Sequence, residues 1–211
     1  MGGFVRVVAT AVLLAGGVAG TSGRAAVILD SLSVRIYDNA GVLAAGRARA
    51  IKRATEILGR ADLAVDWRDC PAGGVLARGA CTAPPEPGEL SVRLVRAPKR
   101  DSNPRALGTA LIDKTTGRGT LATVYVDRVT AMANQGRHDQ WAMIGGVMAH
   151  EIGHLLLGTN SHTDSGLMRQ IWTVQDLTRN RPQDWLFSRS QLEELRNWRV
   201  TARNLPPPPS S

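Results

Sequence analysis

The segment from His150 to His154, which reads His-Glu-Ile-Gly-His, constrains this chain more than any other feature of its sequence. Residues four positions apart in a helix lie one turn above each other on the same face. The two histidines would therefore present their imidazoles to one metal ion, with Glu151 beside them to act on a water molecule. The segment predicts a buried helix that the rest of the chain must support.

The surrounding residues have the periodicity that such a helix requires. Apolar residues recur at helical spacing, at Trp141, Ile144, Val147, Met148, Ile152 and Leu155. Gly158 then follows as a residue that can end the helix. Gly145 and Gly146 each cost a helix about 1 kcal/mol relative to alanine, so we expect them where the helix packs closely against a sheet.

A third histidine follows the glycine, so that three of the 4 histidines in the chain fall within one short stretch. Three protein ligands leave a fourth position of a tetrahedral Zn²⁺ open, which is typical of a catalytic rather than a structural zinc site. We expect His162 to be the third ligand. Asp164 is the main alternative, and a later carboxylate, Glu193 or Glu194, is a more remote one.

The chemistry that this ligand set favours is hydrolysis. A zinc ion lowers the pKa of a bound water to about 7, and Glu151 can accept the water proton and pass it to a leaving amine. The sequence thus predicts a zinc-dependent endopeptidase in which Glu151 activates the zinc-bound water. The alternatives are an exported zinc-binding protein without peptidase activity, such as a binding or adhesion module, and an exported hydrolase that cuts another kind of bond. An intact Glu151 favours an enzyme.

The pattern His150-Glu151-x-x-His154, a turning glycine, a third histidine and the nearby Met168 resembles the metzincin class of zinc metallopeptidases, and the matrix metalloproteinase-like catalytic module in particular. The resemblance implies that His150, His154 and His162 bind the zinc, that Glu151 is the general base, and that Met168 lies under the metal. The class places its glycine three and its histidine six residues after the second ligand.

This chain departs from the class at two places. Gly158 follows the second histidine by four residues and His162 follows it by eight, so the turn is longer by two residues. Arg169 follows the methionine where many members of the class carry a tyrosine. A role for Arg169 at an oxyanion is one interpretation, but we expect an exposed side chain.

The order of strands and helices implies an α+β fold of the zincin-like kind. We expect a twisted, mixed and mostly parallel sheet, a long backing helix, an active-site helix and a C-terminal helix. Strands are predicted at 27–37, 63–67, 90–97, 106–113 and 120–129, the backing helix at 43–58, and the last helix from a capping box at Ser190. The hairpin-like region 107–129 lies where the class has its substrate-aligning edge strand. Asp38 and Gly59 are expected to cap the backing helix.

The N-terminus predicts export. Residues 1–25 resemble a secretory signal peptide, with Arg6 before an apolar run at 7–19 and small residues near Ala25. That run is shorter than the roughly 20 residues of a membrane span, so we expect no stable membrane insertion after cleavage, with an uncleaved anchor as the alternative. Residues 26–203 would form one metzincin-like domain and 204–211 a proline-rich tail. The protein would then be secreted or periplasmic.

Composition adds three expectations. Cys70 and Cys81 are the only cysteines, and an even pair in an exported chain favours a disulfide over a metal site. The net charge is +8, but the 26 lysines and arginines are scattered and aromatic residues make up 4% of the chain, which argues against nucleic-acid binding. The expected partner is a peptide or protein substrate, and we expect a monomer.

Overall fold

The computed structural model describes residues 31–70, 81–86, 88–100 and 103–203, with side chains described as far as residue 197. The predicted signal peptide at 1–25, the first part of the predicted strand at 27–29, the loop at 71–80 and the tail at 204–211 lie outside the described residues. No helix within the described residues has the length and apolar character needed to cross a bilayer.

The described part of the fold contains a five-stranded sheet. Its strands are β1 (Leu32–Asp38), β2 (Val65–Cys70), β3 (Leu90–Val95), β4 (Gly108–Asp113) and β5 (Arg118–Tyr125), in the order β2-β1-β3-β5-β4. The pairs β1–β2, β1–β3 and β3–β5 are parallel. Strand β4 is antiparallel to β5 and occupies the edge. This topology confirms the predicted mixed, mostly parallel sheet and the hairpin with its edge strand.

Helices pack on this sheet in an α+β arrangement, as predicted. They are α1 (Ala44–Gly59), α2 (Val126–Gln135), α3 (Gln140–Leu157), α4 (Val174–Arg179) and α5 (Arg189–Arg203), with a 3-10 helix at Pro182–Trp185. Helix α1 packs against α3, and α3 packs against β4 and β5. The core includes alternate residues of the central strands, such as Val34, Ile36, Val92 and Leu94, all fully buried. The sheet and α1 together form the support of α3.

Gly145 and Gly146 of α3 pack closely, but not against the sheet as predicted. A Cβ atom built on Gly145 would meet the carbonyl oxygen of Ala50 in α1, and one built on Gly146 would meet the ring of Trp185. These glycines therefore allow α1 on one side and an indole on the other to approach the helix backbone.

The predicted strand at 120–129 is too long. Strand β5 ends at Tyr125 and α2 begins at Val126. Val129 and Ala133, four residues apart, are the buried residues of this helix, and that spacing is helical. The Asp127 carboxylate in its first turn accepts a hydrogen bond from the Ala97 backbone N–H at 2.9 Å. The β-branched residues of the run 120–129 favour a strand, so the sequence did not predict this helix.

Both predicted caps of α1 are wrong. The Asp38 carboxylate accepts hydrogen bonds from the backbone N–H groups two and three residues further on, both at 3.0 Å, and so forms a turn before the helix. Gly59 is the last helical residue, and Arg60 after it keeps right-handed helical angles. The chain changes direction instead at Asp62, which has a positive φ of 57°.

The capping box of α5 lies two residues before the predicted one. Ser188 donates its backbone N–H to Gln191 Oε1 at 2.8 Å, and the Gln191 N–H donates to Ser188 Oγ at 3.3 Å. This reciprocal pair is the capping-box pattern with glutamine in place of glutamate. Ser190, the predicted cap, is an exposed helical residue.

The far side of the sheet carries a disulfide and a buried ion pair. Cys70 and Cys81 are bonded, with their Cα atoms 5.6 Å apart, which confirms the predicted pairing. Arg35 in β1 lies 2.7 Å from the Glu89 carboxylate, and both side chains are buried. The Arg35 guanidinium holds the pKa of the Glu89 carboxyl below its usual value. Arg35 also donates to the carbonyl oxygens of Ala83 (2.6 Å) and Pro84 (3.2 Å), so it fixes the segment after the disulfide to the sheet.

Candidate metal centre

Helix α3 carries the predicted His-Glu-x-x-His segment in a buried position. The helix begins after Asp139, whose side chain accepts a hydrogen bond from the Ala142 N–H at 2.8 Å. Every residue from Met143 to Leu156 is buried. His150, Glu151 and His154 are 9%, 5% and 3% exposed. Burying polar groups in this way is costly unless each of them has a partner.

The two helix histidines bond to backbone carbonyl oxygens. His150 Nδ1 lies 2.7 Å from the Leu167 oxygen, and His154 Nδ1 lies 2.8 Å from the Thr159 oxygen. A carbonyl only accepts, so each Nδ1 carries the proton and donates it. Each Nε2 atom is then an unprotonated nitrogen with a free lone pair, which is the form that binds metals. Burial lowers the pKa of His150 to about 3 and that of His154 to about 4, so both rings are neutral at pH 7.

Three imidazoles converge on one point. His154 Nε2 lies 3.0 Å from His150 Nε2 and 3.2 Å from His162 Nε2. Ligand atoms of all three residues lie within 4.8 Å of one another. Tetrahedral zinc with Zn–N bonds of about 2.0–2.1 Å requires nitrogens about 3.3 Å apart. Two unprotonated nitrogens that face each other at 3.0 Å repel unless a cation lies between them. The donor set therefore fits a zinc ion.

The long turn after α3 returns His162 to the helix histidines. Gly158 adopts the left-handed conformation (φ 64°) and its N–H donates to the His154 carbonyl. A Cβ atom on Gly158 would meet the carbonyl oxygen of Gly117, in the turn between β4 and β5, so only glycine fits there. Beyond it, Thr159 Oγ1 accepts from the Ser161 N–H at 3.1 Å. The two extra residues are taken up in this turn.

The structure also places the alternative third ligands. Asp164 is exposed and is not part of the cluster. Glu193 and Glu194 are exposed residues of α5, and neither belongs to the cluster. His162, which is itself exposed, is the residue that joins His150 and His154.

Met168 lies beneath the helix that carries the histidines. Its side chain is fully buried, and a Cβ atom built on Gly153 would lie 2.6 Å from its sulfur. Its carbonyl oxygen accepts a hydrogen bond from the Thr163 N–H at 2.9 Å. The methionine thus supports α3 directly next to His154 and closes the loop that follows His162.

Glu151 lies between α3 and the start of the edge strand. A Cβ atom built on Gly108, the first residue of β4, would lie 2.6 Å from Glu151 Oε1, so this glycine leaves room for the carboxylate. Burial raises the pKa of Glu151 to about 8. A cation at the three imidazoles would oppose that shift because it favours the ionised form. The carboxyl group is therefore placed to hold or release a proton near neutral pH.

A cleft of about 680 Å³ opens beside the cluster. His150, Glu151 and His162 line one part of it, and residues 103–108 form the rim next to the edge strand. One wall of the cleft is aromatic, because Trp172 and Trp185 stack with their ring centroids 4.4 Å apart. A side chain held near the metal centre would therefore find an apolar wall.

Arg169 is buried, contrary to the prediction that it is exposed. Its side chain forms ion pairs with Asp176 (Nη1 to Oδ1, 2.9 Å) and Asp184 (Nη2 to Oδ1, 2.8 Å). The guanidinium also lies over the Trp172 ring, 4.9 Å from its centroid. No regular element is predicted between Met168 and Ser190, so both α4 and the 3-10 helix were missed. The capping box of α4, Thr173 with Asp176, was the signal that could have found the first of them.

The fold matches that of a protein of known structure. It is similar to the crystal structure of archaemetzincin from Methanopyrus kandleri, with a TM-score of 0.54 and 15% sequence identity, over 80% of this chain and 95% of that one. At this identity the likeness establishes the fold alone. No known protein-family model matches the sequence, and no curated protein is similar to it.

Proposed function

We propose that this protein is an exported zinc-dependent endopeptidase, with His150, His154 and His162 as the zinc ligands and Glu151 as the general base. The observation that carries the proposal is the convergence of three imidazoles beside a buried carboxylate in an open cleft. A zinc ion held there would polarise a peptide carbonyl and lower the pKa of a water molecule.

The chain's own part in the reaction is proton transfer and orientation. Glu151 accepts a proton from the attacking water and delivers it to the leaving nitrogen of the peptide. A pKa raised by burial suits that task, because the group has to take up a proton and give it back within one turnover. The Leu167 and Thr159 carbonyl oxygens keep the rings of His150 and His154 in one tautomer and orientation.

An extended peptide is the substrate that the surface beside the site favours. Among the residues that the structure describes, strand β4 pairs with β5 alone, so its outer edge offers backbone donors and acceptors. A peptide that pairs with this edge would pass Glu151, since Gly108 at the start of β4 adjoins that carboxylate. The aromatic wall of the cleft then contacts one substrate side chain.

Export is supported by the apolar run at 7–19 and by the Cys70–Cys81 disulfide, a bond that persists in oxidising compartments. The chemistry at the three histidines does not depend on this part of the proposal. Mass spectrometry of the intact protein recovered outside the cytoplasm would test it, with a mature N-terminus near residue 25 as the expected result.

The deciding experiment combines zinc content with hydrolysis. The purified protein should hold one zinc per chain and cleave members of a peptide library, and a chelator should abolish the cleavage. Glu151→Gln should keep the zinc and lower the rate by a factor of about 10² to 10⁴, the usual contribution of a general base. Glu193→Gln, which changes an exposed carboxylate of α5, is the matched control and should leave both quantities unchanged.

Each negative result points to a different error. A folded protein that retains no zinc would overturn the metal centre. A zinc protein that cleaves no peptide would favour the alternative of a zinc-binding module without peptidase activity. Undiminished hydrolysis by Glu151→Gln would remove that residue from the mechanism.

A further inference from the structure

We propose that Arg169 is a positioning residue of the metal centre: through its two ion pairs it holds the loop that orients His150 and follows His162. The loop in question, residues 163–169, is called the methionine loop below. The inference rests on the proposed zinc site, and it concerns what keeps that site in shape rather than what reacts in it.

The methionine loop is part of the site's support. Leu167 supplies the carbonyl oxygen that His150 Nδ1 donates to, at 2.7 Å. The loop begins directly after His162 and closes on itself, because the Thr163 N–H donates to the Met168 carbonyl at 2.9 Å and Thr163 pairs with Arg169 in a β-bridge. A shift of this loop would therefore move one ligand and turn the ring of another.

Arg169 connects that loop to the wall of the cleft. Among the residues that the structure describes, its ion pairs with Asp176 and Asp184 are the only ones that involve the loop. Arg169 and Asp184 are each 7% exposed, so water competes little for these contacts. One guanidinium thereby joins the loop to α4 and to the 3-10 helix at once.

The same guanidinium also fixes the aromatic wall. It lies over the ring of Trp172, which in turn stacks on Trp185. Disturbing Arg169 would thus loosen the cleft wall along with the metal centre, and we expect weaker substrate binding as well as weaker zinc binding.

A direct chemical role is less consistent with its contacts. Both terminal nitrogens of Arg169 are engaged by carboxylates, and Nε is buried without a hydrogen-bond partner among the described residues. An oxyanion donor needs an N–H group that points at the reacting atoms. Although Arg169 lines the cleft, both of its terminal nitrogens are held by carboxylates, so we infer that it acts through the loop.

Arg35 provides a matched control. It is also a buried arginine with a carboxylate partner, Glu89 at 2.7 Å, and its Nε likewise has no hydrogen-bond partner among the described residues. It lies in β1 and is not among the residues that line the cleft. Arg35→Lys and Arg169→Lys both replace a planar guanidinium, which has several N–H donors, by a compact ammonium group. Arg35→Lys makes this change away from the site, and Arg169→Lys makes it beside the site.

The test uses the full-length protein and three readouts: zinc affinity by competition with a chelator, the visible absorption of the Co²⁺-substituted protein, and the midpoint of urea unfolding. Arg169→Lys should weaken zinc binding about 10- to 100-fold, the usual effect of losing a group that orients a ligand, and should change the cobalt spectrum. Arg35→Lys should lower the unfolding midpoint while leaving the zinc affinity and the cobalt spectrum as in the wild type.

Two outcomes would overturn the inference. One is a folded Arg169→Lys protein with wild-type zinc affinity and cobalt spectrum, and the other is an equal loss of zinc affinity in Arg35→Lys. If Arg169→Lys does not fold, Asp176→Asn removes one of the two ion pairs, and it should give a smaller change in the same direction. A wild-type protein that binds no zinc would refute the proposed function itself, and this inference with it.

Discussion

Helix α3 and the turn that follows it contribute to the histidine cluster in different ways. The helix places His150 and His154 by its own periodicity, inside a segment where every residue from Met143 to Leu156 is buried. The turn places His162 through a left-handed glycine and short-range hydrogen bonds, and leaves it exposed. Two of the proposed ligands are thus placed by the helix itself, whereas the position of the third depends on the surrounding chain.

The helix and the segments after it are also coupled through hydrogen bonds of the histidine side chains. Each helix histidine donates Nδ1–H to a carbonyl outside the helix, at Thr159 in the turn and at Leu167 in the methionine loop. The irregular segments therefore orient the helix ligands, although the helix positions them. We therefore expect the buried histidines to contribute most to metal binding, and the turn to be the region most sensitive to small changes of backbone geometry.

The largest expected effect is on zinc affinity. His154→Ala removes the ring that lies within 3.2 Å of both other histidines, and it should weaken zinc binding by at least about 10³-fold, or about 4 kcal/mol. His162→Ala should cost less, because a water molecule can enter at an exposed ligand position. Competition with a chelator measures both losses. His138→Ala alters the one histidine outside the cluster and should leave the affinity unchanged; equal losses at His154 and His162 would contradict the asymmetry.

The second effect is the pH dependence of the metal-free protein. Burial lowers the pKa of His154 to about 4 from an ordinary value near 6.5, so the stability it contributes is complete above pH 6.5 and is lost as the pH falls through 4. The raised pKa of Glu151 has the opposite effect on how stability changes with pH. Burial raises its pKa to about 8, so its contribution is complete below pH 4.5 and is lost as the pH rises through 8.

Glu151→Gln separates these two contributions. Metal-free Glu151→Gln protein should lose stability between pH 6.5 and 4, because burial lowers the pKa of both His150 and His154. His154 should account for about 3 kcal/mol of that loss, as measured by urea unfolding. Adding His154→Ala should remove this part of the loss, and adding His162→Ala should leave most of it. A decline that depends equally on both histidines would show that the turn ligand is as deeply embedded as the helix ligand.

A smaller effect is expected at the turn glycine. Gly158→Ala forces a side chain into a left-handed conformation and against the Gly117 carbonyl, so it should lower the free energy of unfolding by about 2 kcal/mol. Gly59→Ala is the control, because Gly59 lies in α1 with no atom within 4 Å of an added Cβ. It should be neutral or stabilise the protein by up to about 1 kcal/mol. Urea unfolding of the two variants gives the comparison, and similar values for both would mean that the turn tolerates other conformations.

The sequence predicted what depends on local periodicity. The helix with His150, Glu151 and His154 follows from spacing alone, and the alternation of apolar residues sufficed for most strands. The order of the strands was not predicted, since pairing joins segments such as β3 and β5 that are distant in the chain. The strand predicted at 120–129 was wrong only after Tyr125, where α2 begins, because β-branched residues occur in both strands and helices.

The burial of Arg169 could not be predicted from the residues next to it in the sequence. Its partners, Asp176 and Asp184, lie 7 and 15 residues further along the chain, on elements that the sequence did not reveal. An arginine after a methionine has no local signal for burial, and arginines are mostly exposed. His162 is the intermediate case: the resemblance named it as a ligand, but the geometry of the longer turn required a structure.

The contact between Gly158 and Gly117 has a consequence for the length of surface loops. Hairpin turns usually tolerate inserted residues because they are exposed and contact little else. The turn between β4 and β5 is different, since its backbone at Gly117 abuts the backbone that leads to His162. An insertion there would displace His162, a proposed metal ligand that lies more than forty residues further along the chain. The turn between β4 and β5 must therefore keep its length if His162 is to stay in position. Inserted sequences or tags are better placed elsewhere on the sheet.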